Sequence, residues 1–255
     1  MCLLLLAHQA HPDYPLIIAA NRDEFYERPT APLAFWEDAP SVLAGRDLRS
    51  GGTWLGITQQ GRIAAITNFR DPASHQTAAP SRGRLVKDFL EGEESAETYL
   101  RRLDAASGNY NGFNLVVGTI RKLFWYSNQG NAIKEISPGI HGLSNHLLNT
   151  PWPKVEQGKK GMKQVLNRGQ RPLEEALLEL LADSSPAPDP LLPDTGVGLE
   201  TERMLSPIFI SSPDYGTRSS TLLFVDDRDG VTVIERTHHP GSTKTSDLRY
   251  EFNIA

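Results

Sequence analysis

The chain has 255 residues, 39% of them hydrophobic and 22% charged, and its 21 glycines and 18 prolines are too few for a collagen-like or low-complexity chain. At this length about 70–75% of the unfolded surface is buried on folding, enough for a large core without metal or disulfide staples. Lys and Arg number 26 against 31 Asp and Glu, a net charge of −5 with no basic stripe, which argues against a nucleic-acid binder.

Residues 2–9 and 14–21 are apolar runs of strand length, with turn chemistry at His11-Pro12-Asp13 between them, so they read as a β-hairpin. Unbroken Leu and Ile, in place of alternation, predicts strands covered on both faces. Residues 28–40 are Pro-rich and read as irregular. Short strands follow at 41–44, 53–58 and 62–67, the last two a hairpin across Gln59-Gln60-Gly61, and Gly51-Gly52 marks a close backbone approach. Ser81 is expected to cap a helix reaching residue 90 and ended by Gly92; Ser95 is expected to cap a second. Residues 114–119 and 123–127 form another hairpin around Arg121-Lys122. Helices are expected at 153–167 and 172–183, separated by Gly169 and Pro172, and residues 184–194 form an exposed Pro-rich loop. A last hairpin pairs 220–226 with 231–236 across Asp227-Arg228-Asp229-Gly230. Hairpins imply antiparallel sheets, and helices in pairs, not after every strand, disfavour a doubly wound sheet. The expectation is one layered α+β domain over residues 1–255.

The single cysteine excludes an internal disulfide framework and a Cys-cluster zinc site, and fits a reducing compartment. The apolar start from Leu3 to Ala7 is too short to span a membrane and lacks the features of a signal peptide. The expectation is a cytoplasmic protein acting on a small molecule, without nucleic acid or membrane insertion and with no metal; His8, His11 and His238-His239 have no evident further ligands. The oligomeric state is not readable. No G-x-G-x-x-G, P-loop, H-E-x-x-H or G-x-S-x-G occurs.

Cys2 is the most informative residue. Initiator methionine is commonly removed before a small second residue, and Cys2 would then carry a thiol and a free α-amine together. Such an amine has a pKa of about 7.7–8.0, suited to taking the proton of the attacking thiol. A cysteine buried as a small hydrophobe is the plainer reading. Asn21-Arg22-Asp23-Glu24 closes the second apolar strand, whose end returns beside Cys2; by alternation Asn21 and Asp23 share one face and Arg22 takes the other. A structural ion pair at a hairpin exit explains the same residues. Asn68 and Asn145 follow apolar stretches, and either carboxamide can donate to an oxyanion or form a turn. Arg218 precedes an apolar strand, where it can orient a site group or make a surface ion pair.

Met1-Cys2 with its apolar strand and Ala19-Ala20-Asn21-Arg22-Asp23-Glu24 resemble the NRDE family, which includes bacterial proteins and a eukaryotic transport and Golgi organisation protein. Further blocks agree in order: Gly51-Gly52-Thr53-Trp54, Thr67-Asn68-Phe69-Arg70, Ser81-Arg82-Gly83, Gly142-Leu143-Ser144-Asn145 with Thr150-Pro151-Trp152-Pro153-Lys154, and Tyr215-Gly216-Thr217-Arg218-Ser219-Ser220-Thr221. The resemblance extends to N-terminal nucleophile hydrolases and implies a four-layer αββα sandwich of two antiparallel sheets. It implies a linear amide or thioester of a small molecule as substrate. Cys2 would be the nucleophile, Asn21 and Asp23 would position its amine and thiol, and Asn145 would be the oxyanion donor with Asn68 as a weaker second. Arg218 would orient the site, and Arg22 with Asn68 would contact substrate. Those hydrolases carry an arginine where this chain has Ala20, and Arg22 lies on the wrong parity to replace it without a bulge. No cofactor is implied for hydrolysis. The alternative from another class is a non-catalytic haem or acyl-group binding and trafficking protein on the same scaffold, with Cys2 as a possible haem ligand. A glutamine amidotransferase domain is disfavoured, because no second domain is present to receive ammonia.

Overall fold

The computed structural model describes residues 2–130, 132–168, 172–242 and 244–255, and of residues 2 and 168 the backbone alone. The hairpin expected at the start is β1 (Cys2–His8) with β2 (Leu16–Phe25), and its register sets residue 2 opposite Arg22, Leu3 opposite Asn21 and Leu4 opposite Ala20. Asn21-Arg22-Asp23-Glu24 is therefore inside a strand and not at its exit. The polar stretch stays extended because β11 (Tyr215–Val225) pairs along β2 from Phe25 to Leu16. Around these lie β10 (Gly139–Leu143), β12 (Gly230–His238) and β13 (Thr245–Asn253), giving the antiparallel order β10-β1-β2-β11-β12-β13 among the described residues.

The second sheet follows chain order: β3 (Thr30–Phe35), β4 (Val42–Asp47), β5 (Leu55–Thr58), β6 (Arg62–Asn68), β7 (Phe113–Thr119), β8 (Lys122–Ser127) and β9 (Ala132–Glu135). β3 corrects the expectation that 28–40 is irregular. Pro32 sits where the β3–β4 register shifts, on an edge strand, so its missing N–H costs no ladder bond. Likewise β9, β10 and β13 were not expected: the first two are short, and β13 is an exposed strand with weak alternation.

Helices α1 (Gly83–Glu91) and α2 (Ala96–Asp104) follow β6, then α3 (Pro153–Arg168), α4 (Leu173–Leu181) and α5 (Leu199–Leu205) follow β10. Ser95 caps α2, its Oγ accepting from the Thr98 N–H at 3.2 Å. Ser81 does not cap α1: Arg82 precedes the helix, and no side chain caps the first turn. Gly169, expected to separate α3 from α4, lies outside the described residues. The segment 184–194 holds a 3-10 turn at Asp189–Leu191, and α5 follows it unheralded by an apolar period.

Alternation in β1 and β2 explains the layering. Leu4, Leu6, Leu16, Ile18 and Ala20 point between the sheets, where they meet Leu55, Ile63, Val116 and Trp125 of the second sheet. Leu3, Leu5, Ile17 and Ala19 point outward against Val155 and Met162 of α3 and Leu177 and Leu181 of α4. On the far side, Val42, Ala64, Leu115 and Val117 pack on Leu85, Phe89 and Leu103 of α1 and α2. The result is helices, sheet, sheet, helices. Both faces of each sheet are covered, so the strands read as continuous apolar runs. No helix among the described residues is long and apolar enough to cross a membrane.

Candidate functional site

The polar end of β2 divides by parity. Arg22 continues the row of Leu16, Ile18 and Ala20 into the space between the sheets and stacks its guanidinium 4.1 Å from the Trp54 ring centroid. The parity expected for Arg22 relative to position 20 is thus corrected: residues two apart in one strand share a face. Asn21 and Asp23 take the opposite, helix-covered face. Asn21 is 1% exposed; its Nδ2 donates to the carbonyls of Leu181 at 2.8 Å and Ile208 at 2.9 Å, and its Oδ1 accepts from Ser220 Oγ at 2.7 Å. Asn21 therefore ties α4 and the segment after α5 to the sheet. Since Ser220 spends its proton on Asn21, the Nε2 of His238, 2.9 Å from Ser220 Oγ, is the protonated nitrogen of that ring. Burial pushes His238 down to about 4, with the Arg236 charge adding to it.

Asp23 is buried, with Thr217 Oγ1 donating to its Oδ1 at 2.7 Å. Burial raises its carboxyl above the ordinary value, and the charges of Lys154 and Arg22 and the Thr217 hydrogen bond are among the effects that oppose it. Lys154 is itself only 3% exposed. Close by, Arg70 pairs with Glu202 in the interior and stacks on Trp152, and Glu202 also accepts from the Thr195 N–H at 3.0 Å. Two cations and two carboxylates thus sit buried behind β2. Arg70 and Lys154 stand within the Thr67–Arg70 and Thr150–Lys154 sequence blocks, but nothing in the sequence marked either as charged and buried. Glu202 left no signal.

A cleft of about 320 Å³ opens beside Arg22, Asp23 and Trp54. Its floor includes Asn68, and one wall is the start of α1 at Ser81, Arg82 and Gly83. That wall is close because Gly52 and Gly83 touch through their backbones: a Cβ on Gly52 would come 2.4 Å from the Gly83 carbonyl carbon. Opposite, Arg28 donates to Asp47 Oδ2 at 3.0 and 2.6 Å, and Asp47 Oδ1 accepts from the Arg49 and Ser50 N–H groups, so the rim is braced by its own ion pair. Across the Arg22–Trp54 stack lies a second groove of about 340 Å³, which reaches Arg218 and Glu235. Glu235 bridges the sheets by accepting the Leu33 N–H at 2.7 Å, and burial raises its carboxyl.

The remaining expected residues fall as follows. Residue 2 lies opposite Arg22 in register; its side chain is outside the described residues. Leu4 pairs with Leu143, the last residue of β10, and Asn145 follows two residues later in the bend after that strand. Asn145 is fully buried, donates from Nδ2 to the Asn68 carbonyl at 2.9 Å, and through its own carbonyl accepts the Arg70 N–H at 2.8 Å. It thereby joins the two sheets at the base of the cleft, with one Nδ2 proton left over. Arg218 is inside β11, not before it, at the register shift between Thr217 and Ser219. Its Nη1 donates to the carbonyls of Phe25, Tyr26 and Arg28 at 3.0, 3.2 and 3.1 Å. That fastens the turn after β2, and corrects its expected placement before a strand. Among the described residues no group of three His, Cys, Asp or Glu is arranged to hold a metal ion.

Comparison with known proteins follows the same outline. The family model described as Transport and Golgi organisation 2 matches residues 1–240. The chain is 35% identical over 276 residues to the human Transport and Golgi organization protein 2 homolog, covering 100% of this chain and 99% of that one. It is 36% identical over 256 residues to the Bos taurus homolog, with 92% of each covered. Among solved structures, a variant of the conjugated bile acid hydrolase from Clostridium perfringens superposes with a TM-score of 0.53 at 10% identity, over 100% of this chain and 98% of that one. At such identity the likeness carries the fold alone.

Proposed function

The chain belongs to the Transport and Golgi organisation 2 family and has the fold of N-terminal nucleophile hydrolases; on that premise we propose that it is a cysteine hydrolase of linear amides or thioesters of small molecules. The observation that carries the reading is the register of β1 on β2, which brings residue 2 to Arg22 at the wall of the 320 Å³ cleft, whose Asn68 carbonyl accepts from Asn145. In this reading removal of Met1 frees the Cys2 α-amine. The Cys2 thiol gives its proton to that amine and attacks the substrate carbonyl. The oxyanion accepts the remaining Nδ2 proton of Asn145, with Asn68 at the cleft floor as a second donor. Collapse expels the amine or thiol leaving group, which takes the proton back. A water, deprotonated by the same amine, then hydrolyses the acyl-cysteine to the acid. Arg22, held flat by Trp54, faces the cleft as a substrate contact, while Asn21 and Arg218 act by fixing the strands around it.

The test is a panel of chromogenic amides and thioesters with wild type, Cys2→Ala and Asn145→Ala. Cys2→Ala is expected to abolish turnover, and Asn145→Ala to lower kcat by about 10²–10³, the cost of one oxyanion donor. Turnover that survives Cys2→Ala overturns the proposal. So does a wild type that turns over nothing but binds haem with a Cys2-dependent Soret shift, which is the binding alternative.

A further inference from the structure

Between the end of β6 at Asn68 and the start of α1 at Gly83 the chain makes an excursion with no core of its own. None of residues 71–80 is buried, and residues 72–78 are all exposed. Yet His75, Gln76, Thr77, Ala79 and Pro80 line the 320 Å³ cleft. Hydrogen bonds hold them there. Both roots of the excursion are tied to one group: the Phe69 N–H and the Arg82 Nη1 each donate to the Gly112 carbonyl at 2.9 Å. The middle is gripped by the neighbouring side chain. Asn111 Oδ1 accepts from the Gln76 N–H at 2.7 Å, and Asn111 Nδ2 donates to the Gln76 carbonyl at 2.8 Å. Among the described residues these two bonds are the ones that join residues 71–80 to the rest of the chain. The others close turns within the segment, from the His75 N–H to the Pro72 carbonyl, from the Ala79 N–H to the Gln76 carbonyl and from Ser74 Oγ to Asp71.

We propose that residues 71–80 are a movable wall of the cleft and that Asn111 is its latch, a positioning residue that limits the size of substrate the closed cleft admits; the inference rests on the hydrolase reading of this cleft. A carboxamide offers one acceptor and paired donors in a plane, so it grips the main chain of Gln76 as a strand would, whatever side chain stands there. Both bonds lie at the surface, where water can take either partner, so their net worth is small. A segment held by few exposed bonds and no buried side chain opens at low cost while the fold around it stays intact. The shared tie to Gly112 fixes where the motion occurs: the roots stay with β6 and α1, and the middle swings. With the wall in place the cleft, at 320 Å³, sits at the small end of ligand pockets, which run to about 1,000 Å³. Release of Gln76 removes one side of it and makes room for a larger acyl or leaving group.

Because the chain has a single cysteine, alkylation reads Cys2 alone. The protein is co-expressed with methionine aminopeptidase, and loss of Met1 is verified by intact mass. Two reagents of different size are compared, iodoacetamide and pyrene maleimide, and the iodoacetamide rate is followed against pH to locate its midpoint. In wild type the small reagent is expected to label through the closed cleft and the bulky one only through the open form. Asn111→Ala removes both latch bonds, so the open fraction and the pyrene maleimide rate are expected to rise about tenfold or more. The iodoacetamide rate, its pH midpoint and the Tm are expected to stay near those of wild type, which a general loosening of the fold would not allow. Bulky labelling that Asn111→Ala leaves unchanged, or that speeds up only in step with iodoacetamide, overturns the inference and leaves the hydrolase reading intact. So does a wild type that slows the bulky reagent no more than the small one, each relative to the urea-unfolded chain. Wild-type iodoacetamide labelling no faster than global unfolding permits overturns both, since Cys2 then does not face the cleft.

Discussion

Asn21→Leu separates a scaffold role from a chemical one at the first residue of the Asn-Arg-Asp-Glu stretch. The substitution keeps the side chain's volume and removes three buried hydrogen bonds, two to main-chain carbonyls and one from Ser220. Ser220 retains His238 as a partner. The carbonyls of Leu181 and Ile208 each lose their Asn21 donor, at about 1–3 kcal/mol apiece. With the third bond the expected loss is about 3–5 kcal/mol. For a chain of this size 1 kcal/mol is worth roughly 2–4 °C, so Tm is expected to fall by about 10 °C. Urea and thermal unfolding measure the stability, and alkylation of the one cysteine reads the site in the same samples. The labelling midpoint is expected to stay near that of wild type. A variant that loses less than about 1 kcal/mol yet labels tenfold more slowly would refute the argument.

Other perturbations test the layers around the cleft. Glu202→Leu strands Arg70 in the interior and is expected to cost about 3–5 kcal/mol in urea unfolding, whereas Arg70→Met/Glu202→Leu recovers more than half of that; additive losses would contradict the pairing. His238 titrates lower when folded, about 4 against 6.5, so the unfolded chain binds the extra proton between those values. Its contribution is full above pH 6.5 and falls away toward pH 4, a loss of about 1–2 kcal/mol once solvent screening of this half-buried ring is allowed for. His238→Gln should flatten that part of the stability–pH curve. Gly52→Ala drives a Cβ into the Gly83 backbone, and is expected to cost about 1–3 kcal/mol and to narrow the cleft, read as slower labelling at unchanged pH midpoint.

Much of the frame was legible because both faces of each sheet are apolar. The runs at 2–9 and 14–21 announced the central hairpin, and Ser95 announced α2 by its cap. What escaped were elements defined by partners and not by their own pattern. The strand β3 pairs through a stretch rich in proline, β10 is an edge strand of five residues, and α5 has a short polar sequence. The Asn-Arg-Asp-Glu stretch reads as a strand end because nothing local says that β11 continues alongside it.

Chemistry divides the same way. The sequence by itself supplied the one cysteine, its place beside the returning strand, and the parity that parts Arg22 from Asn21 and Asp23, since a strand's two-residue period needs no knowledge of what lies around it. Only the tertiary structure decided which face is the cleft and which the helix layer, that Asn21 and Arg218 are spent on main-chain carbonyls, and that Arg70 and Glu202 pair in the interior beside a buried Lys154. Burial and charge pairing are set by residues far apart in the chain, and a side chain's hydrogen-bonding capacity shows no trace in its own neighbourhood of where it will be used.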